Sequence, residues 1–259
     1  MVGSVAYVVD HCAVPAYGFL INEEEANTIA TEVRSILRDD TGIQDAREAL
    51  ADLATTDFQN ATLERILAAP ESFAEWRVGE ALAEHHLAKA KNCTFPWPDS
   101  RSTRNPNSSG GGVDLIGFHQ GARSRFVFAE AKTSHQQAWP PTLLTSRTHG
   151  LHAQLMGLNA GDNRSEWAIR YLMMNGIGRP WFDDFRAALE TYLANKLDVA
   201  IYGVLVHATE PNQTDLQAQA ILFSASIKAP TTMELVAIYL TAEMLVTIAD
   251  AAVVVETAA

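Results

Sequence analysis

Between Arg125 and Lys132 the chain reads Arg-Phe-Val-Phe-Ala-Glu-Ala-Lys. Successive side chains of a strand point to opposite faces, so Phe126 and Phe128 share one face and Val127 takes the other. A strand that is apolar on both faces is covered on both, which places it inside a sheet flanked by helices. The same run carries Glu130 and Lys132, two apart and therefore directed to one face. Just upstream, Gly112-Val113-Asp114-Leu115-Ile116-Gly117-Phe118 reads as a second strand, and residues 119–124 have the length of a hairpin connection. Pairing across such a hairpin can bring Asp114 beside Glu130. Two carboxylates and an ammonium in apolar strands are costly unless paired with one another or bound to a cation.

Charge singles out the same region. The 259 residues carry a net charge of −12. Residues 101–150 are the exception: six basic side chains against two acids, and those acids are Asp114 and Glu130. The acidic total disfavours a free-standing, non-specific nucleic-acid binder, whereas one basic stretch inside an acidic chain marks a site. Hydrophobic residues make up 47% and charged residues 19%, which excludes a wholly disordered chain. A chain of this length buries about 70–75% of its unfolded surface, so its core needs no disulfide or metal staple. Cys12 and Cys93 stand alone, without zinc spacing, and read as reduced thiols. The N-terminus lacks a basic segment, and the most apolar stretch, 233–255, is broken by Glu234, Glu243 and Asp250. Neither fits a secretion signal or a membrane span, and the expected location is cytoplasmic.

Residues 1–70 carry twelve acids against four bases and read as a strand at 5–9 followed by helices. Asn22 with Glu25 has the form of a capping box, and Ile29, Val33, Ile36 and Leu37 follow at helical spacing. Further helices are expected at 44–53, 59–68, 72–89, 149–158 and 180–197. The Pro-, Ser- and Gly-rich segment 95–112 reads as a long loop. Strands are expected at 199–206 and 217–227, joined as a hairpin through Glu210-Pro211-Asn212-Gln213, and a closing helix at 232–252. The expected architecture is an α/β (α+β) core from residue 71 to 259, a mixed sheet flanked by helices. An acidic, helical portion, 1–70, precedes it as a candidate partner-docking region.

The charged trio suits phosphodiester hydrolysis. Mg²⁺ prefers oxygen ligands, which two carboxylates and a backbone carbonyl supply. A nearby Lys can orient the attacking water and stabilise the charge that develops on phosphorus. In this strand–turn–strand setting, Asp114, Glu130 and Lys132 resemble the motif of the PD-(D/E)xK nuclease superfamily. The resemblance covers roughly residues 71–160 and implies a restriction-endonuclease-like core. It further implies Asp114, Glu130 and the Ala131 carbonyl as ligands of Mg²⁺ or Mn²⁺, with Lys132 as the water-orienting residue. Glu80 stands where many members carry a further acid on the preceding helix, and Gln154 where exonuclease-like members carry a helical Gln. The following Tyr of that subtype is Leu158 here, which puts the subtype in doubt. Arg101, Arg104, Arg123, Arg125, Thr133 and Ser134 are candidate phosphate contacts.

More narrowly, Gly112-Val113-Asp114-Leu115-Ile116-Gly117-Phe118 with Glu130-Ala131-Lys132-Thr133-Ser134 is similar to the nuclease subunit of bacterial Hachiman anti-phage systems. That likeness implies a DNA substrate and a helicase partner. No nucleotide-binding motif is present in the sequence. Two other readings stay open. One is a non-catalytic subunit that keeps the fold to bind DNA ends or a partner. The other is an unrelated α+β protein in which Glu130 and Lys132 form a surface salt bridge, with Asp114 more than about 8 Å away, beyond the reach of one shared metal ion.

Overall fold

The computed structural model describes residues 3–68, 72–96 and 112–253. Seven strands form one mixed sheet in the order β1-β2-β7-β6-β5-β4-β3. They are β1 (Ser4–Val9), β2 (Ala16–Leu20), β3 (Cys93–Thr94), β4 (Leu115–His119), β5 (Arg125–Ser134), β6 (Ala200–His207) and β7 (Thr232–Tyr239). The four middle strands, β2, β7, β6 and β5, are parallel, and β1 and β4 pair antiparallel at the two ends of that block. β5 and β6 are buried along almost their whole length. This is the double coverage that the apolar faces of residues 126–128 require.

Helices α1 (Glu23–Leu37), α4 (Glu75–Ala90) and α10 (Ala242–Val253) cover one face of the sheet. On the opposite face lie α5 (Thr142–Thr145), α6 (Leu151–Asn159), α7 (Asn163–Gly176), α8 (Phe182–Ala194) and α9 (Thr214–Ser224). α1 begins where its sequence dictates. The Glu25 N–H donates to Asn22 Oδ1 at 2.9 Å, and the Asn22 N–H donates to Glu25 Oε2 at 2.9 Å. Ile29, Val33 and Leu37 are buried. α2 (Asp40–Leu50) and α3 (Asp57–Leu67) differ from every other long helix in burying no residue.

Several sequence expectations change. The sheet begins at residue 4, not residue 71: β2 pairs with β7, and α1 packs on α4 and α10. Residues 217–227 are not a strand, and no hairpin follows β6; α9 occupies 214–224 instead. Its buried Leu216, Gln219, Ala220 and Phe223 fall at helical spacing, and parallel β6 and β7 need a crossover helix between them. Residues 232–252 are not one helix. The run 232–239 is β7, inserted between β2 and β6 and buried on both faces, and only α10 beyond it is helical. A strand covered on both sides has no polar–apolar alternation to distinguish it from a buried helix. α7 lies in a stretch to which the sequence reading assigned no element. Among the described residues, no helix is long and apolar enough to cross a membrane, and Cys12 and Cys93 are both free thiols.

Candidate functional site

The site lies at the carboxyl-terminal half of β5, where β4 stops short. Pairing of the two strands ends at Leu115 with Ala129. Beyond that point the Ala131 N–H has no backbone partner on β4, and the Asp114 side chain takes that place: Oδ2 accepts from Ala131 N at 2.9 Å. The N–H and C=O of one strand residue point to the same edge, so the Ala131 carbonyl also faces the Asp114 side. Gly112, at φ +90°, supplies the left-handed backbone of the turn into this segment.

Glu130 and Lys132 project from β5 toward the face covered by α6–α9. Lys132 Nζ lies 3.3 Å from Asp114 Oδ2 and 3.8 Å from Glu130 Oε2, so one ammonium joins both carboxylates. Glu130 is 1% exposed, Asp114 10% and Lys132 16%. This is a largely buried cluster, not a surface salt bridge, and the shared ammonium keeps the two carboxylates closer than the roughly 8 Å beyond which one metal ion could not span them. Burial, and then the neighbouring Asp114 carboxylate, raise the Glu130 pKa, while Lys132 and Arg164 act against the rise. Opposite Glu130 on β6 stands Gly203. A Cβ there would come within 2.5 Å of Leu155 Cδ1, so glycine lets α6 pack close over the site.

A fourth side chain completes the cluster. Arg164, in the first turn of α7, places Nη1 3.2 Å from Glu130 Oε1. Its Nε donates to Asp162 Oδ2 at 2.7 Å, and Nη2 donates to the Gln154 carbonyl of α6. Sequence reasoning missed Arg164. A signal was available in Asp162, the N-cap residue of α7, followed by Ile169 and Leu172 at helical spacing.

The remaining candidates scatter. Gln154 reaches the cluster through its backbone, and its side-chain Oε1 is buried with no hydrogen-bond partner among the described residues. Glu80 lies on α4, on the opposite face of the sheet from Glu130. Among the described residues no three acids, histidines or cysteines converge as a metal cluster, so Glu80 does not join Asp114 and Glu130 in one. Thr133 faces α4 at Gly79, and Ser134 is turned inward, accepting from the Gln136 N–H at 3.1 Å. Arg123 and Arg125 both pair with Asp198 at the other end of β5, and Arg125 is roughly 23 Å along the strand from Lys132. Arg101 and Arg104 lie outside the described residues. The chain matches no protein-family model, and no curated protein matches it.

Proposed function

We propose that the protein is a metal-dependent nuclease that hydrolyses phosphodiester bonds of DNA at the Asp114–Glu130–Lys132 cluster. The observation that carries this reading is the convergence of two buried carboxylates on one ammonium at the end of β5, with the Ala131 backbone held to Asp114. Two acids and a carbonyl fit a Mg²⁺ ion, which keeps several waters and commonly takes only one or two protein carboxylates. Asp114, Glu130 and the Ala131 carbonyl would hold it, and the bound ion would polarise the phosphate and acidify a water. Lys132 lies within reach of both acids, where it can orient that water and offset charge on the phosphate. The PD-(D/E)xK resemblance supports the reading through the same residues. The narrower Hachiman likeness adds a helicase-class partner, a proposal the net charge of −12 favours because an acidic chain holds DNA poorly alone.

The test is plasmid nicking in Mg²⁺ and Mn²⁺ by the wild type, Glu130→Gln and Lys132→Met. Cutting that needs the metal and falls by about 100-fold or more in both variants is expected. Cutting that survives both substitutions would remove the reading. A second reading has its own support: Asp114 and Glu130 are already matched by Lys132 and Arg164, as in a structural ion cluster of a non-catalytic binding subunit. Calorimetric titration with Mn²⁺ in the presence of DNA separates the two, because only the nuclease takes up the ion.

A further inference from the structure

We propose that Arg164 is a switch residue that couples the binding of a divalent cation to that of a phosphodiester. The inference rests on the nuclease reading and concerns a residue that reading does not use. With Glu130 ionised, Asp114, Glu130, Lys132 and Arg164 balance in charge, and Asp162 behind Arg164 leaves the group with one net negative charge. A divalent cation added alone turns that group net positive and must compete with Lys132 and Arg164 for the two carboxylates. A phosphodiester brings the missing negative charge and gives Arg164 Nη1 an acceptor in place of Glu130.

The geometry of Arg164 suits that exchange. Its side chain is 27% exposed, whereas the Glu130 side chain it covers is 1% exposed, so the guanidinium borders both solvent and the buried acid. Two of its nitrogens are anchored independently of Glu130, Nε on Asp162 and Nη2 on the Gln154 carbonyl. The guanidinium is a rigid plane, so these two anchors also hold Nη1 in place, and the Glu130 carboxylate can turn from Nη1 toward a cation while Nη1 stays available to a phosphate oxygen. Planar guanidinium also matches the paired oxygens of a phosphate better than an ammonium does. A Cβ on Gly112 would touch the Arg164 stem at 3.4 Å, so the same side chain packs on the turn that delivers Asp114.

By linkage, if DNA tightens the cation, the cation tightens DNA by the same factor. The experiment titrates Mn²⁺ by calorimetry into wild type, Arg164→Gln and Arg164→Lys, each with and without a phosphorothioate hairpin oligonucleotide carrying a single-stranded tail. The expected result is Mn²⁺ binding about tenfold or more tighter with DNA in the wild type. In Arg164→Gln, Mn²⁺ alone binds more tightly than in wild type and the gain from DNA is largely lost; Arg164→Lys keeps part of it. Equal Mn²⁺ affinity with and without DNA in the wild type overturns the proposal, as does full coupling in Arg164→Gln. If coupling is absent but metal-dependent nicking persists, the switch fails and the nuclease stands. If Mn²⁺ binds under neither condition, both fail.

Discussion

His86 packs its ring on Phe19 with centroids 4.7 Å apart, fully buried in α4. Neither ring nitrogen has a hydrogen-bond partner among the described residues. Burial, helped by the charges of Lys91 and His85, pushes its pKa down to about 4. In the unfolded chain the ordinary value is near 6.5, so between those values the unfolded state binds the extra proton. The neutral ring's share of stability is therefore complete above about pH 6.5 and is lost as the pH falls to about 4, by about 3 kcal/mol. His86→Leu removes both the titration and the unpaired nitrogens. Urea unfolding at pH 7 and pH 4.5 should show a smaller acid loss in the variant than in wild type, and an equal loss would exclude His86 as its source. At the same scale, Cys93 is buried beside Tyr202, and burial raises its thiol to about 12. It should resist alkylation at pH 8 until the protein is unfolded.

Between elements, the tightest approach near the site is α4 on β5. A Cβ on Gly79 would lie 1.9 Å from Thr133 Oγ1, next to Lys132 in sequence. Alanine is the better helix former by about 1 kcal/mol. Here the clash outweighs that gain, because Thr133 is short, β-branched and held in a central strand. Gly79→Ala should therefore lose about 1–3 kcal/mol. Adding Thr133→Ala should recover most of it, and a double-mutant cycle in chemical denaturation measures the coupling. Additive effects would mean that α4 shifts away from the sheet rather than clashing. α2 and α3 present the opposite case. Arg47 pairs with Glu64 across them, while Leu53, Phe58 and Ile66 stay exposed, and no side chain of either helix enters the core.

The whole molecule is tied by a buried polar chain on the α6–α9 face. His207 Nε2 donates to the Gln136 carbonyl at 2.8 Å, and Nδ1 lies 2.9 Å from Asp215 Oδ2. Tyr239 donates to the same Asp215 oxygen at 2.7 Å and lies 3.1 Å from the Tyr7 hydroxyl. This chain links β1, β7, α9, β6 and the loop after β5. His207, Asp215 and Tyr239 are all fully buried. Asp215→Ala would leave the buried His207 Nδ1 without its carboxylate, while His207 Nε2 keeps the Gln136 carbonyl and Tyr239 keeps the Asn212 carbonyl, and should cost about 3–5 kcal/mol, seen as a large fall in melting temperature. Replacing residues 42–67 by a short Gly/Ser linker should instead shift melting by only a few degrees, since α2 and α3 bury nothing. Removing residues 1–37 takes away β1, β2 and α1 and should abolish folding; a soluble, cooperatively melting product would overturn that account.

What the sequence determined by itself was local. The Asn22–Glu25 capping box, the β4–β5 hairpin and the shared face of Glu130 and Lys132 depend on neighbours a few residues apart, and the strand period alone aligns the last pair. Asp114 came within reach because the fixed hairpin register places it just beyond the last pair, Leu115 with Ala129. Only the tertiary structure decided the rest. The run 232–239 became a strand because a slot between β2 and β6 pairs its backbone on both sides. The N-terminal strands joined the sheet because β7 offered β2 a partner more than 200 residues away. Arg164 lies 34 residues from Glu130 and meets it only because Gly203 lets α6 settle close to the sheet and the α6–α7 corner then turns the guanidinium inward. Local rules act through the backbone period and the capping of chain ends, while long-range contacts follow from which buried surfaces can be covered together.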